Sequence, residues 1–379
     1  MKILLTGGGS GGHVYPLMAV AQEIRRIEDE ENLVGVKLYF MAPDPYNKKL
    51  LFDYDIEYKK VFSGKIRNYF SLLNYLDIFK TFFGIIKAFW TLFTIFPDVI
   101  VAKGGYGSYP VLFVARFLRI PTIIHESDTI PGKANMIASK HATRIAVSWP
   151  QAKNYFPKDV QDRVAYTGQP VRKSIQVPAE EGAHEYLKLE DGIPTIFVLG
   201  GSQGAQIINE TILEALPHLV ENFQIIHQVG KANFSEVSET AKIILSKNKN
   251  ASRYKVFDYL NDLALRMAAG ASSVVVTRAG STLFEIANWK RPAIIIPITK
   301  SKNDHQRANA YAYARSGGGV VLEEKNFEPS ILESEITRIT SDKDLARKMG
   351  EVAFKEFASP DAAKKIALET IRIALSHLK

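Results

Sequence analysis

The chain of 379 residues contains no cysteine. That excludes a disulfide framework, a thiolate nucleophile and a cysteine-ligated metal, and it fits a reducing compartment. Acidic residues are the minority. With 40 Asp and Glu against 48 Lys and Arg, the net charge is +8, which points to an anionic partner: nucleic acid, a phosphorylated substrate or an anionic membrane. A long unbroken apolar run is also missing. The most apolar stretch, residues 81–96, carries Lys87 and falls short of the ~20 apolar residues that a span needs, so no membrane-crossing helix is expected. Met1-Lys2 leads directly into apolar residues and a glycine loop, so no signal peptide is expected ahead of the fold. Charged residues make up 23% and hydrophobic ones 46%, a balance that excludes disorder and allows two domains of ordinary size.

What is abundant is glycine in particular places. Residues 1–23 read as a buried strand (Ile3, Leu4, Leu5), then Thr6-Gly7-Gly8-Gly9-Ser10-Gly11-Gly12-His13, then a helix opened by Val14-Tyr15-Pro16. A strand feeding a glycine loop and a helix is suited to a phosphate, because the backbone comes close and free N–H groups meet the ligand at the positive helix end. Pro16 suits a first helical turn, where a missing N–H costs nothing. Gly7-x-Gly9-x-x-Gly12 formally satisfies the dinucleotide fingerprint, with Asp44 after the second strand (37–41) as the ribose acid. His13 inside the loop and Pro16 shortly after it fit that pattern poorly.

Further along, Asp53-Tyr54-Asp55 could hold a divalent ion, but its alternation with apolar residues suits a decorated surface, and no metal is expected. Residues 66–96 are rich in aromatic and aliphatic side chains, with Arg67, Asp77, Lys80 and Lys87 as their charges. Where a packed helix shows a polar outer face, this segment shows Thr, Gly and aromatics, which favours partial contact with a membrane surface over complete burial. Strands follow at 97–102, 122–124, 144–147 and 164–167. Polar groups gather at their carboxyl ends: Lys103-Gly104-Gly105-Tyr106, His125-Glu126-Ser127-Asp128 and Gly168-Gln169-Pro170-Val171-Arg172. Open α/β sheets place ligands at such ends. Residues 173–192 read as a linker, after which the opening device recurs. A strand at 195–199 feeds Gly200-Gly201-Ser202-Gln203-Gly204-Ala205 and a helix, with further strands at 224–228, 254–257, 273–277 and 293–297. Two Rossmann-like halves, each opened by strand, glycine loop and helix, are expected to form a cleft between their strand ends. Aromatics standing apart from Lys and Arg runs argue against nucleic acid.

The ordered set of Gly8-Gly9-Ser10-Gly11-Gly12-His13, Gly104-Gly105-Tyr106, His125-Glu126, Thr167-Gly168-x-Pro170-Val171-Arg172, Gly200-Gly201-Ser202-Gln203-Gly204-Ala205, Arg278-Ala279-Gly280, and His305-Gln306 with Asn309-Ala310 spans the chain. In it the chain resembles the MurG family, which moves N-acetylglucosamine from UDP-N-acetylglucosamine onto lipid-linked N-acetylmuramyl-pentapeptide. The resemblance implies an α/β fold of the GT-B type, two Rossmann-like domains with parallel sheets facing a central cleft. Residues 1–170 would form an acceptor- and membrane-binding domain, 171–355 a UDP-sugar domain, and 356–379 a helix packing back on the first. It implies no cofactor, a peripheral place on the cytoplasmic face of the plasma membrane, and inversion at the anomeric carbon.

Residue by residue, the resemblance makes His13 the general base. It places Ser10, Gly11, Gly12, Asp128, Arg172, Ser202, Leu260, Ser281, Thr282, Leu283, Glu285 and Gln306 on the donor, and Gly104, Gly105, Tyr106 and Glu126 on the acceptor. Phe82, Phe89 and Trp90 would touch the anionic membrane, with Arg67, Lys80 and Lys87 meeting headgroups. The chain departs from the family's pattern in Ser10 for Thr, Asp128 for Asn, Lys103 for an aromatic, differing residues at Gly107 and Tyr109, and a run 278–285 shorter by one. Rival readings are a same-fold transferase with another lipid acceptor and a nicotinamide-dependent oxidoreductase. The latter leaves Gly200 to Ala205 and Glu285 without a role.

Overall fold

The structure, a computed structural model, describes residues 1–8, 11–65, 73–200, 205–299 and 304–377. The chain divides into two compact units, residues 1–172 with 359–379, and residues 173–358. In the first, β1 (Lys2–Thr6), β2 (Lys37–Ala42), β3 (Ile56–Lys60), β4 (Val99–Ala102), β5 (Thr122–Glu126), β6 (Arg144–Val147) and β7 (Val164–Tyr166) form one sheet in the order β3-β2-β1-β4-β5-β6-β7. All its pairings are parallel. Strands buried on both faces explain why most of them read as unbroken apolar runs. β3 does not, because it is an edge strand that alternates buried Ile56 with exposed Glu57.

The second unit repeats the device with β8 (Thr195–Leu199), β9 (Gln224–Gln228), β10 (Tyr254–Phe257), β11 (Val274–Thr277), β12 (Ala293–Ile295) and β13 (Gly319–Val321), ordered β10-β9-β8-β11-β12-β13 and again parallel. In each sheet the strand order reverses beside the strand that feeds a glycine loop, β1 next to β4 and β8 next to β11. Ligands of such sheets collect at that crevice.

Three readings of the sequence need correction. The first helix, Gly11–Glu30, begins on the glycines rather than at Val14, so Pro16 lies inside it. The supposed linker, 173–192, contains the helices Lys173–Gln176 and Ala183–Leu187 and belongs to the second unit. Trp289 anchors it, donating its indole N–H to the Ile175 carbonyl at 2.7 Å. The third concerns residues 73–95, which form a single helix, Leu73–Ile95. Within it Tyr75–Ile95 is long and apolar enough, by length and composition, to cross a membrane, because the helix runs back past the polar Thr81.

That helix is nevertheless seated on the first unit along one line. Asp77, Ala88, Leu92 and Ile95 are buried, and at Gly84 an added Cβ would stand 1.8 Å from the Phe62 carbonyl oxygen. The opposite face is open: Phe82 is 57% exposed, Trp90 62% and Phe93 59%. Phe89, Trp90 and Phe93 pack on one another at centroid distances of 5.7 to 6.4 Å.

Candidate active site

In the first unit the chemistry collects at the carboxyl ends of β1, β4 and β5. Two glycine loops abut there. A Cβ on Gly107 would be 2.9 Å from the Pro43 ring and 3.4 Å from the Gly7 carbonyl, and one on Gly105 would be 2.9 Å from the Gly8 carbonyl and 3.2 Å from His13 Nε2. Gly104 and Gly105 both hold φ at +78°, a conformation that side chains resist. His13 thus lies against Gly105. Gly11 and Gly12 are the first residues of the Gly11–Glu30 helix, and Tyr106 opens a short 3₁₀ turn whose carbonyl accepts from the Ser63 hydroxyl at 2.6 Å.

Around these loops stand buried Lys103, His125 and Glu126, with His13 and Asp128 half-buried beside them. Burial, and next the Lys103 charge, push the His13 imidazole down to about 4, against smaller opposing pulls from Asp128 and the Lys103 backbone. At neutral pH it is therefore an uncharged base, and its Nδ1 has no hydrogen-bond partner among the described residues. His125 is driven well below the ordinary value by burial and by Lys103. Its Nε2 lies 3.1 Å from the Gly168 carbonyl and 3.3 Å from the Ser148 hydroxyl. Burial and the neighbouring Asp128 raise the Glu126 carboxyl.

The carboxylate of Glu126 is fully engaged within the fold. Oε1 accepts from the Asp128 N–H at 2.9 Å, and Oε2 accepts from the Gly132 N–H and the Asn135 amide, each at 2.9 Å. It braces the turn that carries half-buried Asp128. Arg172, also buried, lays its guanidinium 4.1 Å above the Tyr15 ring. Asp44, the acid of the dinucleotide reading, is exposed and caps its own turn by accepting from the Tyr46 N–H at 2.6 Å.

In the second unit Ser281, Thr282, Leu283 and Glu285 lie at and just inside the start of the Thr282–Asn288 helix after β11. Leu283 is buried, whereas Ser281, Thr282 and Glu285 are half-buried. Leu260 is buried, and its N–H donates to Gln228 Oε1 at 3.0 Å. Gln306 spends its Oε1 on the Ile298 N–H at 3.1 Å, which fixes the turn after β12. Arg278 Nη1 reaches the Ile296 carbonyl at 3.0 Å and Glu324 at 2.7 Å. Ser10, Ser202 and Arg67 lie outside the described residues. Asp53 and Asp55, weighed for a metal, are exposed, and Asp55 pairs with Arg25.

Two residues matter to which the sequence assigned no role. Asn135 donates to the His125 carbonyl at 3.1 Å as well as to Glu126, and an added Cβ on Gly104 would touch its amide. The paired glycines at 104 and 105, which leave room for its amide, were the trace it left in the sequence. Lys103 is completely enclosed, where a lysine at a strand end ordinarily reads as solvated.

Comparison with known proteins adds the rest. Residues 3–147 match the glycosyltransferase family 28 N-terminal domain and residues 195–366 the glycosyltransferase family 28 C-terminal domain. The chain is 33% identical over 345 residues to the UDP-N-acetylglucosamine–N-acetylmuramyl-(pentapeptide) pyrophosphoryl-undecaprenol N-acetylglucosamine transferase of Treponema denticola, covering 87% of this chain and 85% of that one. It is 33% identical over 368 residues to the transferase 2 of the same name from Bacillus thuringiensis, covering 96% and 97%. The crystal structure of Acinetobacter baumannii MurG shares the fold at a TM-score of 0.70 and 24% identity, over 98% of this chain and 99% of that one. The two Rossmann-like domains are those of the GT-B fold. The chain belongs to the MurG family of glycosyltransferases.

Proposed function

We propose that this protein transfers N-acetylglucosamine from UDP-N-acetylglucosamine to lipid-linked N-acetylmuramyl-pentapeptide, with inversion, in peptidoglycan synthesis at the cytoplasmic face of the plasma membrane. The observation that carries the reading is that likeness to transferases of that name runs through both units, over 87 to 96% of the chain. The second unit, with Glu285, Gln306, Leu260 and the glycine loop after β8, is assigned to the UDP-sugar. Ser202 and the start of the Gln206–Asn222 helix would meet its diphosphate, where a helix amino-terminus favours negative charge. Arg172 would add a guanidinium, which suits phosphate oxygens. The first unit is assigned to the acceptor, its diphosphate over Gly104 to Tyr106.

The chemistry asked of His13 is general-base help. It takes the proton of the acceptor hydroxyl as that oxygen attacks the anomeric carbon and UDP leaves from the opposite side. No metal or cofactor is assigned a step. The uncovered aromatic face of the Leu73–Ile95 helix, with Lys80 and Lys87 on the same element, supports docking on an anionic lipid surface. The test is transfer of radiolabelled sugar to a short-chain lipid-linked acceptor. His13→Ala should lower turnover by roughly 10²–10⁴, the range of lost general-base help, with UDP affinity little changed. Wild-type protein inert on that acceptor would sink the proposal.

A further inference from the structure

Lys103 follows the last residue of β4, and its N–H bonds the Thr6 carbonyl of β1 at 2.9 Å. It therefore stands at the crevice where both glycine loops begin. Its stem runs under the first loop: a Cβ added to Gly7 would lie 3.2 Å from Lys103 Cβ. The residue is 2% exposed, and its ammonium has no hydrogen-bond partner among the described residues. The groups that face it are His13 from the Gly11–Glu30 helix and His125, Glu126 and Asp128 from β5 and the turn after it. Glu126 makes no direct bond to it and accepts instead from the Asp128 and Gly132 N–H groups and the Asn135 amide.

An enclosed, unbonded ammonium is a standing cost to the fold, and an apolar side chain of similar length would relieve it. A cost of that kind is retained where function needs the charge. We propose that Lys103 is a positioning residue, a fixed positive charge beneath the two glycine loops that holds the acceptor's diphosphate above them. Because Gly7, Gly8, Gly104 and Gly105 carry no side chains and Lys103 itself is buried, the charge acts through a thin layer of backbone at low effective dielectric. It also solves a difficulty at His13. A bound diphosphate would pull a proton onto the imidazole and spoil it as a base, and the cation beneath offsets that pull. The inference rests on the acceptor assignment made above.

Lys103→Met tests it, with Lys103→Gln as a second variant that stays polar without charge. Both should fold, and Lys103→Met should unfold at the same or a higher temperature than the wild type. The KM for a short-chain lipid-linked acceptor should rise roughly ten- to hundredfold, the scale of a lost interaction with a charged group, while the KM for UDP-N-acetylglucosamine stays constant. Inhibition by inorganic pyrophosphate, competitive against acceptor, should weaken by the same factor, whereas competition against donor should not change. The acid limb of the pH–rate profile should move up, because His13 loses its repelling neighbour. Unchanged acceptor KM and pH profile, or a lower unfolding temperature with both KM values intact, would overturn the proposal. Should the wild type prove inert on the acceptor, the transferase reading fails. Calorimetric binding of pyrophosphate to the two full-length proteins then still decides the role of Lys103, equal affinities counting against it.

Discussion

His13 and Lys103 show how much one site depends on charges held out of water. For His13 the neutral form is the reactive one, and protonation is opposed by burial and by Lys103, with a value near 4 against an ordinary 6.5. The base therefore stays available as the medium is acidified. Turnover should be flat from pH 6 to 8 as far as His13 is concerned, with the acid limb near 4; a limb at 6.5 would mean that the imidazole is solvated. The same shift has a sign for stability. Below 6.5 the unfolded chain binds a proton at this position that the folded one refuses until about 4, so folding loses free energy as pH falls through that window. His227, pushed by burial to about 3 while bonded to Tyr254 and Asn209, contributes in the same direction. Lys103 shifts in the same direction from its own baseline: burial lowers it to about 8, so it remains mostly charged at neutrality and discharges in mild alkali. The His13 loop was legible in the sequence because glycines crowd it. The enclosure of Lys103 was not, since only tertiary packing decides whether a strand-end lysine meets water.

Secondary elements were legible in proportion to their burial. Central strands such as β8 and β9 announce themselves as apolar runs between glycine and polar residues, while two edge strands escaped. β3 carries Glu57, Lys59 and Lys60 among its five residues, and β13 is only Gly319–Val321. The short helices of residues 173–187 escaped as well, because isolated helices of that length have no strong local signal and owe their form to contacts such as Trp289 with Ile175. The Leu73–Ile95 helix is the informative case: its composition is apolar almost all round, yet only a narrow stripe is buried. An apolar patch of this extent on a folded unit marks an interaction surface. Replacing Phe82, Phe89 and Trp90 by Ser should leave the fold intact, since all three are exposed. It should release the protein from anionic vesicles, each ring forgoing up to about 1.5–3 kcal/mol of burial in the interface, and spare activity on a short-chain acceptor in detergent-free buffer. Vesicle sedimentation of the triple variant measures this, and undiminished binding would remove the helix from the membrane account.

On the scale of the whole molecule, the chain does not divide in sequence order. Residues 359–379 belong with residues 1–172, although the 173–358 unit lies between them in the sequence. The return is made by the helix Ala362–His377, which packs on Gly11–Glu30 and joins the same core as Ile3, Leu17, Val20 and Ile24. Ile366, Ile371 and Ile373 are buried there with Ala363, Ala367 and Ala374. Glu369 ties the helix to β6 through Arg144 at 2.9 Å. Passage into it is tight, since Gly168 at φ +82° would drive any Cβ to 2.1 Å from the Ser359 hydroxyl. Ending the chain after Ala358 should therefore damage the far amino-terminal unit and not the unit just before the cut. Three buried isoleucines alone are worth about 1.5–3 kcal/mol each, a large part of the ~5–15 kcal/mol that holds a domain together. Hydrogen exchange on the shortened protein should show lost protection across β1, β2 and the Gly11–Glu30 helix, with β8, β9 and β11 still protected. UDP binding, assigned to the second unit, should persist while transfer to the acceptor disappears. Loss of protection confined to β8–β13 would mean that the helix stabilises the second unit and that this account of the return is wrong.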